Sequence, residues 1–216
     1  MLGRGATDVD HRGVDLRPIG ELLVRQSGVV CRRQLLALGA QPHDIARQVR
    51  RREMTRVHPG VYVEHNGPLS WTQRAWAAVL AVWPAALCDR SALGEMPGSE
   101  ADPGFPIHVA VALERRVLAR SGVRVHRRAR FDQLVQWNLG PPRVRYEHAV
   151  LEVAASARSE FAAVAVLSEA CRTRRTTPQR LAMALRERHR TACREWLSAV
   201  LTDIASGTAS VLSTAT

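Results

Sequence analysis

Apolar residues recur at helical spacing over much of the chain and alternate at strand spacing in only a few places. Between Arg17 and Gln26, Ile19, Leu22 and Leu23 share one helical face, and Pro18 suits a first-turn position. Ser27-Gly28 ends that helix, and Val29-Val30 leads into the next. From Arg32 to Leu38 the inward set is Leu35, Leu36 and Leu38, with Arg32 and Arg33 outside. Gly39 supplies the C-terminal turn. Pro42 opens a third helix, predicted to run to Arg52, with Asp44 in its first turn and Ile45 and Val49 as the buried stripe. Met54 to Glu64 then alternates, with Val57, Val61 and Val63 on one set of positions and Pro59-Gly60 at the tip of a β-hairpin.

The pattern changes after residue 66. Leu69 to Trp83 reads as a strongly apolar helix, with Trp71, Ala75, Ala78, Val79 and Val82 at helical spacing. Leu87 to Met96 reads as a short strand running into a helical turn at Ser91. Pro97 to Phe105 is a Gly/Pro/acidic loop. Ile107, Val109 and Val111 alternate as one strand and Val123 and Val125 begin another; Arg120-Ser121-Gly122 between them predicts an antiparallel pair. Pro141-Pro142 is a second break. Beyond it four helices are expected: Tyr146 to Ala155, Ser159 to Arg172, Pro178 to Arg188 and Arg194 to Ala205. The reading is an α+β chain: a flexible tail over 1–15, a winged helix-turn-helix over 16–66, a small α+β middle region over 67–140 and a helical C-terminal region over 141–216.

Charge sharpens this picture. The formal net charge is +11, and all 31 basic residues are arginine. Such a balance favours polyanionic partners, nucleic acid first and an anionic membrane surface second. Between Cys31 and His58, seven arginines face two carboxylates, Asp44 and Glu53, for about +5 on a helix, tight turn, basic helix and hairpin. That order of elements is the order of a winged helix-turn-helix, whose second helix reads the major groove. His43, Arg47, Gln48, Arg50 and Arg51 fall on the open faces of the third helix. A second arginine group (Arg172, Arg174, Arg175, Arg180, Arg186, Arg188 and Arg190) carries no such motif and is expected to be a solvated surface.

The remaining candidates for chemistry are weak. The cysteines, Cys31, Cys88, Cys171 and Cys193, are far apart and show neither ligand spacing nor a disulfide framework, so free thiols are expected. No metal and no cofactor is expected. Glu147 and Glu152 are five apart on one helix, diverge, and are expected at the surface. His108 and His126 would be neighbours on paired strands, with no third ligand close in sequence. Ser91 lacks a Gly-x-Ser-x-Gly elbow, and neither a Walker sequence nor a dinucleotide-binding glycine fingerprint occurs. Trp71, Trp76 and Trp83 read as core. The N-terminus lacks the apolar stretch of a signal peptide, and Ala75 to Leu87 is too short to span a bilayer, so a cytoplasmic protein without membrane contact is expected.

The stretch VCRRQLLALGAQPHDIARQVRRREMTRVHPGVYV resembles the N-terminal winged-helix domain of AbiEi-type antitoxins of type IV toxin–antitoxin systems. It resembles more closely the N-terminal half of actinobacterial proteins in which that domain precedes a very-short-patch-repair-like endonuclease domain. WTQRAWAAVLAVWPAALCDRSAL, IHVAV, GVRVHR, PPRVRYEHAVLEVAA and WLSAVLTDIASGTASVL extend the resemblance over roughly Gly20 to Leu212. The resemblance implies DNA binding and, for the antitoxins, repression of their own operon. Carried onto this chain, the matching positions are Arg32, Arg33, Arg47, Arg50, Arg51, Arg56 and His58. The acidic strand motif of the nuclease core is absent, and a chain without lysine has no catalytic lysine of the usual nuclease type.

The expected function is therefore non-enzymatic: an antitoxin-like transcriptional regulator that binds double-stranded DNA. Its expected DNA contacts are Arg32, Arg33, His43, Arg47, Gln48, Arg50, Arg51, Arg56 and His58. Arg47 and Arg51 lie on nearly one helical face and Arg50 on the other side of Arg47; Arg47 is expected at bases, and Arg51 with Arg56 at phosphates. Two alternatives stand beside this reading: a truncated, catalytically empty relative of the endonuclease, and a protein-interaction module. The middle and C-terminal regions are left to packing, homodimer formation or a protein partner, such as a toxin encoded nearby.

Overall fold

The computed structural model describes residues 17–94, 105–188 and 193–207. The expected N-terminal tail, the loop from Pro97 through residue 104, Arg190 and the C-terminal end from residue 208 lie outside the described residues. The described chain is mixed α+β.

Helix α1 (Arg17–Arg25) ends at Ser27 and Gly28, which both hold positive φ. A side chain at position 28 would meet the Glu64 carboxylate, so glycine serves both the backbone and the packing there. Strand β1 (Val29–Cys31), which sequence alternation missed, leads into α2 (Arg32–Ala37). Gly39, at φ +93°, turns the chain into α3 (Pro42–Arg50). Helix α3 stops short of the expected Arg52, because Arg52 adopts a left-handed conformation and releases the chain into β2 (Thr55–His58) and β3 (Val61–Val63). The three strands form an antiparallel sheet in the order β1-β3-β2.

Strands β1 and β3 of that small sheet are buried on both faces. Val30 and Tyr62 pack with Leu35, Ile45 and Met54 beneath α1, α2 and α3. Val29, Cys31, Val61 and Val63 point the other way, onto Trp76, Ala77 and Leu80 of α4 (Trp71–Ala81). Burial on both faces explains why β1 and β3 read as apolar runs without alternation. Ser70 and Gln73 form a capping box at the start of α4, and Gln73 Nε2 also donates to the Ser27 carbonyl at 3.0 Å. The opposite face of α4, with Trp71, Ala75, Ala78, Val79 and Val82, packs on the second sheet. A helix apolar all round is one buried between two layers.

The second sheet has the order β6-β5-β4-β8-β7. Its strands are β4 (Ala86–Leu87), β5 (Ile107–Ala112), β6 (Val123–Arg128), β7 (Val135–Gln136) and β8 (Arg143–Val144). Helix α5 (Asp89–Ala92) follows β4, and α6 (Phe131–Leu134) follows β6. Strands β5 and β6 are parallel, from Ile107↔Val123 to Ala112↔Arg128, and not the antiparallel pair expected. The ten residues between them are long enough to allow this. Extended, they reach about 33–36 Å, against about 20 Å for a six-residue strand, which is enough to return to the start of β5. Arg115 anchors the return by donating to the Val82 and Trp83 carbonyls at the end of α4, both at 2.9 Å. Strand β8 lies beyond Pro141-Pro142, so the sheet crosses that break.

Helices α7 (Tyr146–Ala155), α8 (Glu160–Arg172), α9 (Pro178–Glu187) and α10 (Arg194–Ser206) complete the chain. Ala149 of α7 joins the α4–sheet core, while Val150, Leu151 and Ala154 pack with Leu167, Leu181, Leu185, Leu197 and Leu201. Among the described residues no helix is long and apolar enough to cross a membrane.

Candidate nucleic-acid interface

Helix α3 is anchored by Ile45, its one fully buried side chain, with Val49 half-buried beside it. Burying an isoleucine contributes about 1.5–3 kcal/mol, enough to fix a short helix against its neighbours. The N-terminus of α3 is closed by Asp44, whose Oδ2 accepts from the Gln41 backbone N–H at 3.2 Å. The other oxygen, Oδ1, takes Arg47 Nη2 at 2.9 Å and lies 3.5 Å from His43 Nε2. Arg47 is therefore held along the helix by a carboxylate one turn away. His43 is exposed and Gln48 half-buried.

Four arginines form an open basic face from the end of α3 into β2. Arg50, Arg51, Arg52 and Arg56 are exposed. Arg51 lies 3.9 Å from Glu53, at the limit of an ion pair. Among the described residues none pairs with the guanidinium of Arg50, Arg52 or Arg56. Arg52 belongs to this face although its position after the expected stripe kept it out of the expected set. Arg32, exposed at the start of α2, sits beside the hairpin tip, where its backbone N–H donates to the Gly60 carbonyl at 2.8 Å.

Two of the expected contact residues, Arg33 and His58, have neighbours outside α3 and the hairpin. Arg33 is exposed, with its guanidinium 5.6 Å from the centre of the Trp83 ring in a cation–π contact. His58 turns into a groove with Val57, Leu69, Arg74, Ala77, Phe105, Ile107, Gly122 and Val123. Burial, and then Arg120, lower its pKa and favour the neutral ring. The cause is the backbone irregularity between Arg56 and His58, which breaks the alternation that would have left both side chains outward.

The C-terminal polar residues are more deeply engaged than their spacing suggested. Glu152 is buried, with Oε1 3.0 Å from Arg128 Nε and 3.8 Å from Arg188 Nη2. Glu147 is also largely covered, accepting from Thr176 Oγ1 at 3.0 Å and facing Arg180 Nε at 3.1 Å. Neither is a surface glutamate, because α7 has the sheet on one side and α8 and α9 on the other. Arg188, half-buried, donates to the His148 carbonyl and so leaves the solvated arginine group, whereas Arg175 stacks on Tyr146 at 4.1 Å and stays exposed. Buried His148, 3.2 Å from Glu187, has its pKa lowered by burial first and by Arg188 second. The four cysteines are free; Cys31 and Cys88 are buried, and burial pushes the Cys88 thiol well up.

His108 and His126 do meet, with rings 5.1 Å apart and His126 Nε2 3.1 Å from His108 Nδ1. Sequence spacing offered no third ligand, but the fold brings one: Asp89 Oδ2 lies 3.6 Å from His108 Nδ1. The hydrogen bond from His108 chiefly holds the Asp89 carboxyl below its ordinary range, and burial with Arg128 lowers the pKa of His126.

No family model matches the chain, and no curated protein matches it.

Proposed function

We propose that residues 17–63 form a winged helix-turn-helix and that the chain is a DNA-binding transcriptional regulator of the antitoxin-like kind. Helix α3 would enter the major groove, and the β2–β3 hairpin would follow the phosphate backbone. One observation carries this reading: Arg50, Arg51, Arg52 and Arg56, close together in the chain from the end of α3 into β2, are all exposed, and among the described residues only Arg51 of the four has a carboxylate within ion-pair distance. Leaving guanidinium groups beside one another costs repulsion that a polyanion relieves, and guanidinium is suited to bidentate contact with phosphate or guanine. The antitoxin-like assignment rests on the sequence resemblance over residues 20–212.

A second reading, a protein-interaction module, is favoured by a different observation. Helices α8 and α10 border a groove of about 1090 Å³ lined in part by Phe161, Val164, Trp196, Val200 and Ile204. Phe161 is 70% exposed.

Fluorescence anisotropy with a duplex selected from a random pool tests the DNA reading. The wild type is expected to bind it in preference to a single strand. The combined variant Arg50→Ala/Arg52→Ala/Arg56→Ala should bind at least about tenfold more weakly, with a salt slope shallower by about three. Equal binding by both proteins would remove the basic face from the interface.

A further inference from the structure

We propose that Asp89, His108 and His126 form a binding site for one borderline divalent cation, zinc(II). The site is independent of the DNA reading and lies on the second sheet. Asp89 comes from the turn after β4, His108 from β5 and His126 from β6. The parallel register sets His126 opposite Ala110, two residues along β5 from His108, so both histidines stand on one face of the sheet.

The donor atoms are spaced for a small ion. His126 Nε2 and His108 Nδ1 are 3.1 Å apart, and His108 Nδ1 and Asp89 Oδ2 are 3.6 Å apart. All three donors lie within 4.8 Å of one another. A tetrahedral zinc with bonds of about 2.0–2.1 Å needs ligand separations of about 3.3 Å, which the two short distances straddle. Two imidazoles and a carboxylate suit zinc, and the side chains of Asp89 and His108 each keep 15% of their surface exposed, leaving access for water as a fourth ligand.

The surroundings fix these ligands. The second Asp89 oxygen, Oδ1, accepts from the Arg90 backbone N–H at 2.6 Å, leaving Oδ2 to face His108. The Asp89 N–H donates to Glu152 Oε2 at 3.3 Å, and Glu152 is itself held by Arg128 and Arg188. The His108 N–H donates to Ser91 Oγ at 2.9 Å, and its carbonyl accepts from the Cys88 N–H at 3.1 Å. Of these bonds the one from the Arg90 N–H acts on a ligand side chain and orients the Asp89 carboxylate; the others hold the backbone that carries Asp89 and His108. A bound ion would tie the β4–α5 turn to β5 and β6, acting as a clamp on the edge of the sheet.

The test uses the full chain freed of metal with a chelator. Zinc is titrated against a chromophoric chelator, and cobalt(II) is added as a spectroscopic substitute. One ion should bind per chain, and cobalt should give the intense visible bands of four-coordination without a near-ultraviolet thiolate band. His126→Gln and Asp89→Asn should each weaken zinc binding by at least about tenfold, while Cys193→Ser should leave it unchanged. The melting temperature should rise with zinc in the wild type and not in His126→Gln. Asp89→Asn, close to isosteric, keeps the test valid if the histidine variant does not fold. No stoichiometric ion, a thiolate band, a weak octahedral cobalt spectrum, or unchanged affinity in both ligand variants would overturn the proposal.

Discussion

Asp44 does two things that pull in opposite directions, and Asp44→Asn separates them. Its carboxylate closes the start of α3 and holds Arg47 at 2.9 Å. An asparagine can still accept from the Gln41 N–H, so what is lost is the charge. A negative side chain in a first turn contributes about 0.3–1 kcal/mol, and an ion pair three residues away about 0.2–0.5 kcal/mol. The Arg47 side chain is 39% exposed, so screening puts the pair at the lower end. The variant should lose about 0.5–1.5 kcal/mol, a melting temperature lower by roughly 1–6 °C. On the proposed reading its duplex affinity should nevertheless rise. A carboxylate leaves the face that meets phosphates, and Arg47 is released to join it. One more neutralised phosphate steepens the salt slope by about 0.9, a further three- to fourfold loss of affinity when salt rises fourfold. Thermal unfolding and anisotropy at two salt concentrations measure both quantities. A folded variant that binds duplex no more tightly, with an unchanged slope, would show that Arg47 does not belong to the contact face.

Three further outcomes follow from the same geometry. Arg47→Ala should flatten discrimination between a selected and a scrambled duplex, at a cost of about 1–3 kcal/mol on the selected one, whereas Arg51→Ala should weaken both alike; the reverse pattern in anisotropy would exchange their roles. Ile45→Ala should cost about 2–5 kcal/mol in urea unfolding, because it empties the single buried anchor of α3; a loss below about 1 kcal/mol would show that Val49 and the hairpin hold the helix without it. His148 has a lowered pKa, so the unfolded chain takes up the proton first, near pH 6.5, and stability should fall as pH drops below that value. Urea unfolding at about pH 7.5 and about pH 5 should show a smaller fall in His148→Gln, and an equal fall would assign the effect to other groups.

The longer helices were legible in the sequence because each carries a one-sided or all-round apolar pattern over two turns or more, whereas the four-residue α6 was missed. Helices α7 to α10 begin and end within a residue or two of the expected bounds. The short strands were mostly not legible: β3 was expected as an arm of the hairpin and β4 only at Leu87, while β1, β7 and β8 were missed. Strands β1, β4, β7 and β8 are two or three residues long, too short to alternate, and β1 is buried on both faces. The connection to β6 carries Arg115, which bonds to carbonyls more than thirty residues earlier, a contact no local pattern encodes. On the basic face the pattern exposed Arg50 and Arg51, because Ile45 fixes which side of α3 is buried, and Arg56, because β2 alternates with Val57 inward. It could not show that Arg33 meets Trp83, that His58 turns inward, or that Asp89 joins two histidines from other strands. Those contacts depend on tertiary neighbours distant in sequence.

The salt dependence of duplex binding by the unaltered chain tests the proposed interface most directly. Arg32, Arg50, Arg51, Arg52 and Arg56 supply five exposed guanidinium groups. If each neutralises one phosphate, log affinity should fall against log salt with a slope of about −4.5. A slope between zero and about −1, or no binding to duplex at low salt, would contradict a phosphate-contacting basic face.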